Sequence, residues 1–189
     1  MKKEIITICG GLGSGKSSTS DLVAKELGYT RFSSGDLFRQ VGLDLGLSVT
    51  ELNKKAETES SIDFKVDEKL RELGNSNKIV IDSRTAFHWI PASFKVYLDL
   101  PHEIAKHRVL NNLKENALRK ESEKSSNIEE VYEDMQRRFD SEQKRFWDLY
   151  KINNRDLTQF DLVVDTNKNN LEEVVAIIVA EYKKWQTSS

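Results

Sequence analysis

Apolar residues occur along this chain in short uninterrupted runs, separated by longer stretches in which apolar positions recur with a helical period. The runs predict strands at 5–9, 30–33, 78–82, 95–100 and 160–165. The periodic stretches predict helices at 16–27, 35–46, 49–58, 62–74, 101–115, 128–150 and 170–186. Continuous apolar runs are typical of parallel strands buried on both faces, and their alternation with helices favours right-handed crossovers. We therefore expect an α/β fold built on a parallel sheet.

One segment, "ENALRKESEKSSNIEE" at 115–130, departs from this pattern because it is polar and has few apolar anchors. Two interpretations remain open. It is either a surface loop without a role or a lid that closes over a bound ligand.

The stretch "GGLGSGKSS" follows the first predicted strand and leads into a predicted helix. It matches the pattern G-x-x-x-x-G-K-[ST], which we call the phosphate loop. Its glycines let successive N–H groups turn towards an anion, and the following helix adds the positive end of its dipole. The lysine is a cation for β- and γ-phosphates, and the serine hydroxyl is a ligand for Mg²⁺. The residues expected to hold a nucleoside triphosphate are Gly10, Gly11, Gly13, Ser14, Gly15, Lys16, Ser17 and Ser18.

The stretch "SSGDLFRQ" comes at the end of the second predicted strand. Its Ser34, Gly35 and Asp36 form a capping sequence for the helix that follows. Arg39, one turn inside that helix, can bind a second phosphate, which is not transferred, through two hydrogen bonds. Capping alone and phosphate binding are both compatible with this stretch.

The stretch "IVIDSRTA" places a carboxylate and an arginine at the end of the third predicted strand. Asp82 faces the phosphate loop in a parallel sheet, where it can join Ser17 in holding Mg²⁺ and its water. Arg84 can reach a phosphate from the opposite side. The alternatives are a cap for Asp82 and a surface position for Arg84.

The stretch "RRFDSEQKRF" carries two arginines seven residues apart, Arg138 and Arg145, which therefore share a helix face. Glu142 lies four residues after Arg138 and is expected to hold that arginine in place. The alternative is a surface helix with ordinary ion pairs. The position directly after the candidate lid favours a functional role.

Composition restricts the classes of partner. The 189 residues suffice for one domain with a sizeable core, and a net charge of −2 argues against a dedicated nucleic-acid binder. The single cysteine, Cys9, is expected to be a small buried residue. No apolar stretch is long enough for a signal peptide or a membrane span. We expect a soluble, cytoplasmic monomer that binds neither nucleic acid nor membranes.

Together these motifs resemble the nucleoside monophosphate kinases, and most closely the short archaeal-type cytidylate kinases. That branch is similar in the helix carrying Ile62, Asp63, Val66 and Asp67 and in the pattern R-x-x-S-E-x-x-R-[YF] that begins at Arg138. The stretch "LYKINNRDLTQFDLVVDT" resembles the same branch's tail. The resemblance runs from about residue 4 to about residue 185.

The resemblance implies a three-layer P-loop kinase fold with a five-stranded parallel sheet, a helical acceptor-binding insert and a lid. The implied single domain has a core at 1–34, 76–114 and 146–189, an insert at about 35–75 and a lid at about 115–145. The implied reaction transfers a phosphoryl group from ATP to CMP or dCMP, with Mg²⁺. Lys16 and the loop amides would hold ATP, with Arg108 as a further contact. Arg39 and Arg84 would hold the acceptor's phosphate, and Arg138 and Arg145 would close on the transferred group.

Two departures from the family pattern leave the acceptor base open. The stretch after the third strand reads "DSRTAF" where the family has E-G-R-L-A-G, and Asn153 replaces an acidic residue. A kinase of another small acceptor, adenylate or a hydroxyl compound, is the first alternative. A nucleotide-binding regulator is the second, although "NKKA" and "NKNN" both lack the aspartate of the guanine motif N-K-x-D.

Overall fold

The computed structural model describes residues 2–115 and 128–188, with side chains described for 2–111 and 129–188. The strands are β1 (Ile5–Gly10), β2 (Thr30–Ser33), β3 (Ile79–Asp82), β4 (Phe94–Asp99) and β5 (Leu162–Asp165). The helices are α1 (Lys16–Leu27), α2 (Ser34–Asp44), α3 (Val49–Ala56), α4 (Ser61–Leu73), α5 (Ala86–Trp89), α6 (His102–Glu115), α7 (Ile128–Tyr150) and α8 (Leu171–Thr187). Most of the predicted lid segment, 115–130, lies outside the described residues.

The strands form one parallel five-stranded sheet in the order β2-β3-β1-β4-β5, which confirms the predicted fold class. The order in which strands are added changes sides at β1, because β2 and β3 lie on one side of it and β4 and β5 on the other. Ligands of open α/β sheets bind at the carboxyl ends of the strands beside such a change. The phosphate loop follows β1, and Ser33 pairs with Asp82 at the ends of β2 and β3. The predicted motifs therefore meet at one edge.

Helices cover both faces of the sheet, giving three layers. On one face, Ile6 and Ile8 of β1 pack in a cluster with residues of α1 and α8, including Ile178 and Tyr182. On the other face, Ile5 packs in a cluster with residues of β3, α4 and α5. Successive side chains of a strand point to opposite faces, so an uninterrupted apolar run fills both clusters.

The helical insert α2–α4 has an apolar cluster of its own. Val41, Leu52, Ala56 and Ile62 form this cluster, with Phe38 and Leu47 packed against it. A capping box begins α3, where the Ser48 hydroxyl accepts from the Glu51 N–H and the Glu51 carboxylate accepts from the Ser48 N–H. These features make α2–α4 a compact unit attached to the sheet.

The short helix α5 was missed by the sequence analysis, because four residues are too few to show a helical period. The Ser83 hydroxyl, in the departure "DSRTAF", accepts hydrogen bonds from the backbone N–H groups of Thr85 and Ala86 over 3.2 and 3.3 Å. It thereby turns the chain into α5. None of the helices in residues 2–115 and 128–188 combines the length and the apolar composition that crossing a bilayer requires.

Candidate active site

The phosphate loop has a backbone that two of its glycines make possible. Gly10 has φ 153°, and a Cβ there would lie 2.7 Å from the Leu98 carbonyl oxygen and from Ser14 Oγ. Gly13 has φ 71°, and a Cβ would lie 2.9 Å from the carbonyl oxygen of Ala105. A side chain at either position would clash and would strain the backbone. The loop is thus held against β4 and α6 in a shape that only glycine allows.

Lys16 is the first residue of α1, and its side chain folds back over the loop. Its Nζ donates to the carbonyl oxygens of Gly10 and Gly11 over 3.0 and 2.9 Å. Ser14 Oγ also donates to Gly11, over 2.9 Å. Burial, and after it the positive charge of Arg84, lowers the pKa of Lys16. An anion bound at the loop would therefore offset the cost of burying the ammonium group. Ser18, in the first turn of α1, is exposed.

The two predicted Mg²⁺ ligands are neighbours. Ser17 Oγ donates to Asp82 Oδ2 over 2.9 Å, joining the start of α1 to the end of β3. The same oxygen of Asp82 accepts from Nη2 of Arg31 over 3.3 Å. Sequence reasoning missed Arg31, because a lone arginine on a short strand carries no motif. The structure brings Ser17 and Asp82 together as predicted.

The residues predicted to bind the acceptor begin α2. Ser34 Oγ donates to the Asp82 carbonyl oxygen over 3.3 Å, and the exposed Gly35 lies beside the Arg39 guanidinium. Arg39 forms an ion pair with Asp36, and its side chain is 55% exposed. Burial acts to raise the pKa of Asp36, but Arg39 and Arg31 together lower it. The capping interpretation is confirmed, since Ser33 caps the helix, while Arg39 is accessible and its binding of a phosphate stays a prediction.

Arg84 lies between β3 and α7, where it is paired with Glu142, a residue that the sequence analysis assigned to Arg138. Its Nη1 donates to Oε2 of Glu142, and its guanidinium carbon lies 4.8 Å from the centre of the Phe139 ring. The expectation that Glu142 holds Arg138 is wrong, because Glu142 reaches the end of β3 instead. Nε of Arg84 is buried and has no hydrogen-bond partner among the described residues. A buried donor of this kind is costly unless a ligand satisfies it.

Arg138 is half-buried on α7, and its Nε forms an ion pair with Asp134 one turn earlier, at 3.3 Å. Burial acts to raise the pKa of Asp134, but a hydrogen bond from Thr50 and the charges of Arg137 and Arg138 lower it. The Thr50 hydroxyl donates to Asp134 Oδ2 over 2.8 Å, which links α3 of the insert to α7. Arg138 is therefore held close to the contact between the insert and α7.

Arg145 is buried in this structure, with contacts to the insert, and its expected role at the transferred group stays a prediction. Its Nε donates to Asp63 Oδ2 over 2.8 Å, and its Nη1 donates to Asn53 Oδ1 and Ser141 Oγ, each over 2.9 Å. Asp63 lies on α4 and Asn53 on α3. In this structure the guanidinium therefore binds the insert to α7.

A second buried contact between the insert and α7 was also missed. Asp67 accepts a hydrogen bond from Trp89 Nε1 over 2.9 Å and another from the Tyr150 hydroxyl. Burial raises the pKa of Asp67, although both hydrogen bonds oppose the rise. The family-like pattern that contains Asp63 and Asp67 could have indicated these two residues, but not their partners.

Arg108 lies on α6, beside the loop that follows β5. Its Nη2 donates to the Thr166 carbonyl oxygen over 2.6 Å. A cavity of about 360 Å³ borders the phosphate loop at Gly11 and extends to Phe139 and Arg155. A second cavity, of about 370 Å³, lies between α3 and α7 and is lined in part by Arg138. Both volumes are within the range of small-molecule sites.

The four arginines predicted to bind phosphates share one feature, because each is paired with a carboxylate. The pairs are Arg39–Asp36, Arg84–Glu142, Arg138–Asp134 and Arg145–Asp63. Three of these arginines are partly accessible, and Arg145 is the most buried of the four. A phosphate that binds here must therefore compete with carboxylates for its donors.

Comparison with known proteins identifies the family. The profile of an AAA domain matches residues 6–133, more than half of the chain. The cytidylate kinase of Natronomonas pharaonis is 33% identical over 178 residues, which cover 92% of this chain and 86% of the relative. The chain belongs to the cytidylate kinase family of P-loop nucleoside monophosphate kinases. The cytidylate kinase of Methanothrix thermoacetophila, 31% identical with 93% and 96% coverage, is a further relative of the kinase.

Solved structures show the same fold at low sequence identity. The shikimate kinase of Acinetobacter baumannii, in complex with shikimate, superposes on the kinase with a TM-score of 0.62. The identity is 17%, with 98% of this chain and 96% of that chain covered. The likeness confirms the P-loop kinase fold that the sequence predicts and carries no information on the acceptor.

Proposed function

We propose that this kinase transfers the γ-phosphoryl group of ATP to CMP or dCMP, giving ADP and the cytidine diphosphate. One arrangement carries the proposal. A phosphate loop with its lysine and a Ser17–Asp82 pair lies at the same sheet edge as Arg39 and Arg84. Such a site has groups for a triphosphate and further groups for a second phosphate. The cytidine acceptor is supported by the names of the relatives.

In this proposal the loop holds the triphosphate. The backbone N–H groups of the loop and the first turn of α1 bind its oxygens, and Lys16 Nζ leaves the Gly10 and Gly11 carbonyl oxygens for the β- and γ-phosphates. Arg108 lies on the side of the loop next to Thr166, where it contacts the rest of ATP. The site requires no protein nucleophile.

The Ser17–Asp82 pair fits Mg²⁺. Both side chains offer the hard oxygen that this ion prefers, and Mg²⁺ is usually held by one or two protein groups together with phosphates and water. When bound, the ion neutralises charge on the β- and γ-phosphates. Ser17 and Asp82 would hold it at the first turn of α1.

We assign Arg39 and Arg84 to binding the acceptor's phosphate. Ser34, Gly35 and Asp36, at the start of α2, complete the acceptor site. Nε of Arg84, which has no partner among the side chains that the structure describes, supports this assignment, since an acceptor phosphate would supply one. The phosphate attacks through an oxygen that is already anionic, so positioning and charge neutralisation suffice and no general base is needed.

The helical insert, about 35–75, and α7 move relative to the core in this proposal, with the lid placed at about 115–145. Arg138 approaches the transferred group on closure. We assign Arg145 to holding the insert on α7, because its guanidinium is buried against Asp63, Asn53 and Ser141. The whole chain acts as a single domain and a cytoplasmic monomer, without nucleic acid or membrane partners.

A kinase of another small acceptor is the second candidate. The departure "DSRTAF" after β3 leaves the acceptor open, and a hydroxyl compound is one of the alternatives. Such an acceptor carries no phosphate, and it would leave Arg39 and Arg84 without a ligand.

A panel of acceptors decides between these functions. ADP release from ATP is measured with CMP, dCMP, UMP, AMP, GMP, shikimate and no acceptor. We expect kcat/KM to be highest for CMP or dCMP. The highest value with AMP or shikimate would reject the cytidine assignment, and ADP release that needs no acceptor would reject the kinase function.

A further inference from the structure

Arg31 on β2 bridges two carboxylates that serve different parts of the proposed reaction. Its Nη1 donates to Asp36 Oδ2 over 3.4 Å, and its Nη2 donates to Asp82 Oδ2 over 3.3 Å. Asp36 is also the partner of Arg39, and Asp82 is also the acceptor for Ser17. The contacts therefore run without a break from the acceptor-phosphate arginine to the Mg²⁺ ligands.

We propose that Arg31 is a positioning residue that couples acceptor binding to Mg²⁺ binding through this chain of ion pairs. The inference rests on the proposed function, which assigns Arg39 to the acceptor phosphate and Asp82 to the metal. It adds a link between the two halves of the site.

The two bridge distances indicate a guanidinium shared between its partners. Strong hydrogen bonds from a cationic nitrogen to a carboxylate are about 2.7–2.9 Å long. Both contacts of Arg31 are longer, at 3.4 and 3.3 Å. The side chain can therefore move towards Asp36 or towards Asp82, and shortening one contact lengthens the other.

An ion pair with Asp21 and the strand pairing of β2 keep the Arg31 guanidinium near both of its bridge partners. Nε of Arg31 lies 3.2 Å from Asp21 Oδ1 on α1. The backbone of Arg31 is paired in register with Val80 of β3. The side chain is 23% exposed, so water competes only in part for its contacts.

Acceptor binding changes the balance at Asp36. A phosphate dianion that binds Arg39 draws that arginine away from Asp36, which leaves Arg31 as the main partner of the Asp36 carboxylate. Arg31 then moves towards Asp36, and Asp82 Oδ2 loses a competitor for the metal. By linkage the effect is reciprocal, so a cation near Asp82 favours acceptor binding by the same factor.

The test measures the affinity of Mn²⁺, used as a probe for the Mg²⁺ site, in the presence of a non-hydrolysable ATP analogue. Electron paramagnetic resonance reports free Mn²⁺ without any turnover. The proteins are wild type, Arg39→Ala, Arg31→Gln and the double variant, each with and without CMP. Arg31→Lys is a second variant that keeps the charge but replaces the two separate guanidinium nitrogens of the bridge by one ammonium nitrogen on a shorter reach. Asp21→Asn is the matched control, since it alters an Arg31 contact outside the bridge.

In the wild-type background we expect Arg39→Ala to tighten Mn²⁺ binding about 5-fold, at the lower end of ordinary coupling between sites. Saturating CMP should do the same. In Arg31→Gln and in Arg31→Lys both effects should fall below about 2-fold, while Asp21→Asn should keep them.

The outcomes distinguish a failure of the coupling through Arg31, here called the relay, from a failure of the proposed function. If Arg39→Ala changes the affinity for Mn²⁺ equally with and without Arg31, the charge of Arg39 acts on the metal site directly through space, and the relay is overturned. Coupling that disappears in Asp21→Asn would also overturn it, because the bridge would not be the cause. If Arg39→Ala acts through Arg31 while CMP has no effect, the relay stands and CMP is rejected as the acceptor.

Discussion

Arg145 of α7 lies buried against Asp63 of α4, with its Nε 2.8 Å from the Asp63 carboxylate. The same guanidinium binds Asn53 of α3, so one side chain connects two helices of the insert to α7. The position of the insert helices relative to α7 therefore depends on a buried ion pair.

Removing one partner of this pair should destabilise the fold. Arg145→Ala and Asp63→Asn should each lower the free energy of unfolding by about 3–5 kcal/mol, because each leaves a buried charge uncompensated. Replacing both residues, as in Arg145→Met with Asp63→Leu, should recover most of the loss. Urea unfolding of the four proteins tests this, with the exposed neighbour Lys144→Ala as control. A stability loss in the double variant equal to the sum of the single losses would contradict the account.

Lys16→Ala should nearly abolish turnover. In the proposed reaction the ammonium group neutralises oxygens that gain charge as the γ-phosphoryl group leaves, so kcat should fall at least ~10²-fold, the scale for one preorganised electrostatic contact. Steady-state kinetics with ATP and CMP measure this. Lys25→Ala, exposed in the last turn of the same helix, should leave kcat unchanged. A Lys16 variant with near wild-type kcat would show that the phosphate loop is not the catalytic site.

Arg39→Ala and Arg84→Ala should weaken acceptor binding far more than ATP binding, because we propose that both arginines bind a phosphate that is not transferred. Losing such a charge-assisted contact should cost about 1.5–3 kcal/mol. The KM for each substrate is the measurement, and Gln40→Ala is the control on the exposed side of α2. Adding Glu142→Gln to Arg84→Ala separates the lost phosphate contact from the carboxylate left unpaired. A rise confined to the KM for ATP would reverse the assignment.

Cys9 should make the protein less stable at alkaline pH. Burial raises the pKa of its thiol from 9.0 to about 11. Below pH 9 the thiol is protonated in both states, whereas between pH 9 and 11 it ionises only when the chain is unfolded. Stability should therefore fall across this range by up to about 3 kcal/mol from this group. Cys9→Ala should lose less stability over the same range, as measured by urea unfolding at each pH. Identical slopes for the two proteins would contradict the assigned pKa.

Sequence reasoning predicted those parts of the site that depend on short motifs or on the ends of neighbouring parallel strands. The shape of the phosphate loop follows from glycines at fixed spacing, and Ser17 and Asp82 meet because parallel strands end at one edge. The buried state of Cys9 followed from its place in an apolar strand. These features require no knowledge of how the helices pack.

The parts that were missed depend on contacts between distant segments. Helical spacing placed Arg138 and Arg145 on one face but could not show that this face packs on the insert, where Arg145 meets Asp63. The i+4 rule assigned Glu142 to Arg138, yet the tertiary partner is Arg84. An exposed pair at i+4 contributes only about 0.3–0.5 kcal/mol, so packing against the end of β3 decides the partner.

The identity of the products tests the central claim most directly. Wild-type protein is incubated with ATP, CMP and Mg²⁺, and the nucleotides are separated and identified by mass spectrometry. The account predicts ADP and CDP in equal amounts, with Lys16→Ala forming both at least ~10²-fold more slowly. Accumulation of ADP and inorganic phosphate without CDP would contradict the account.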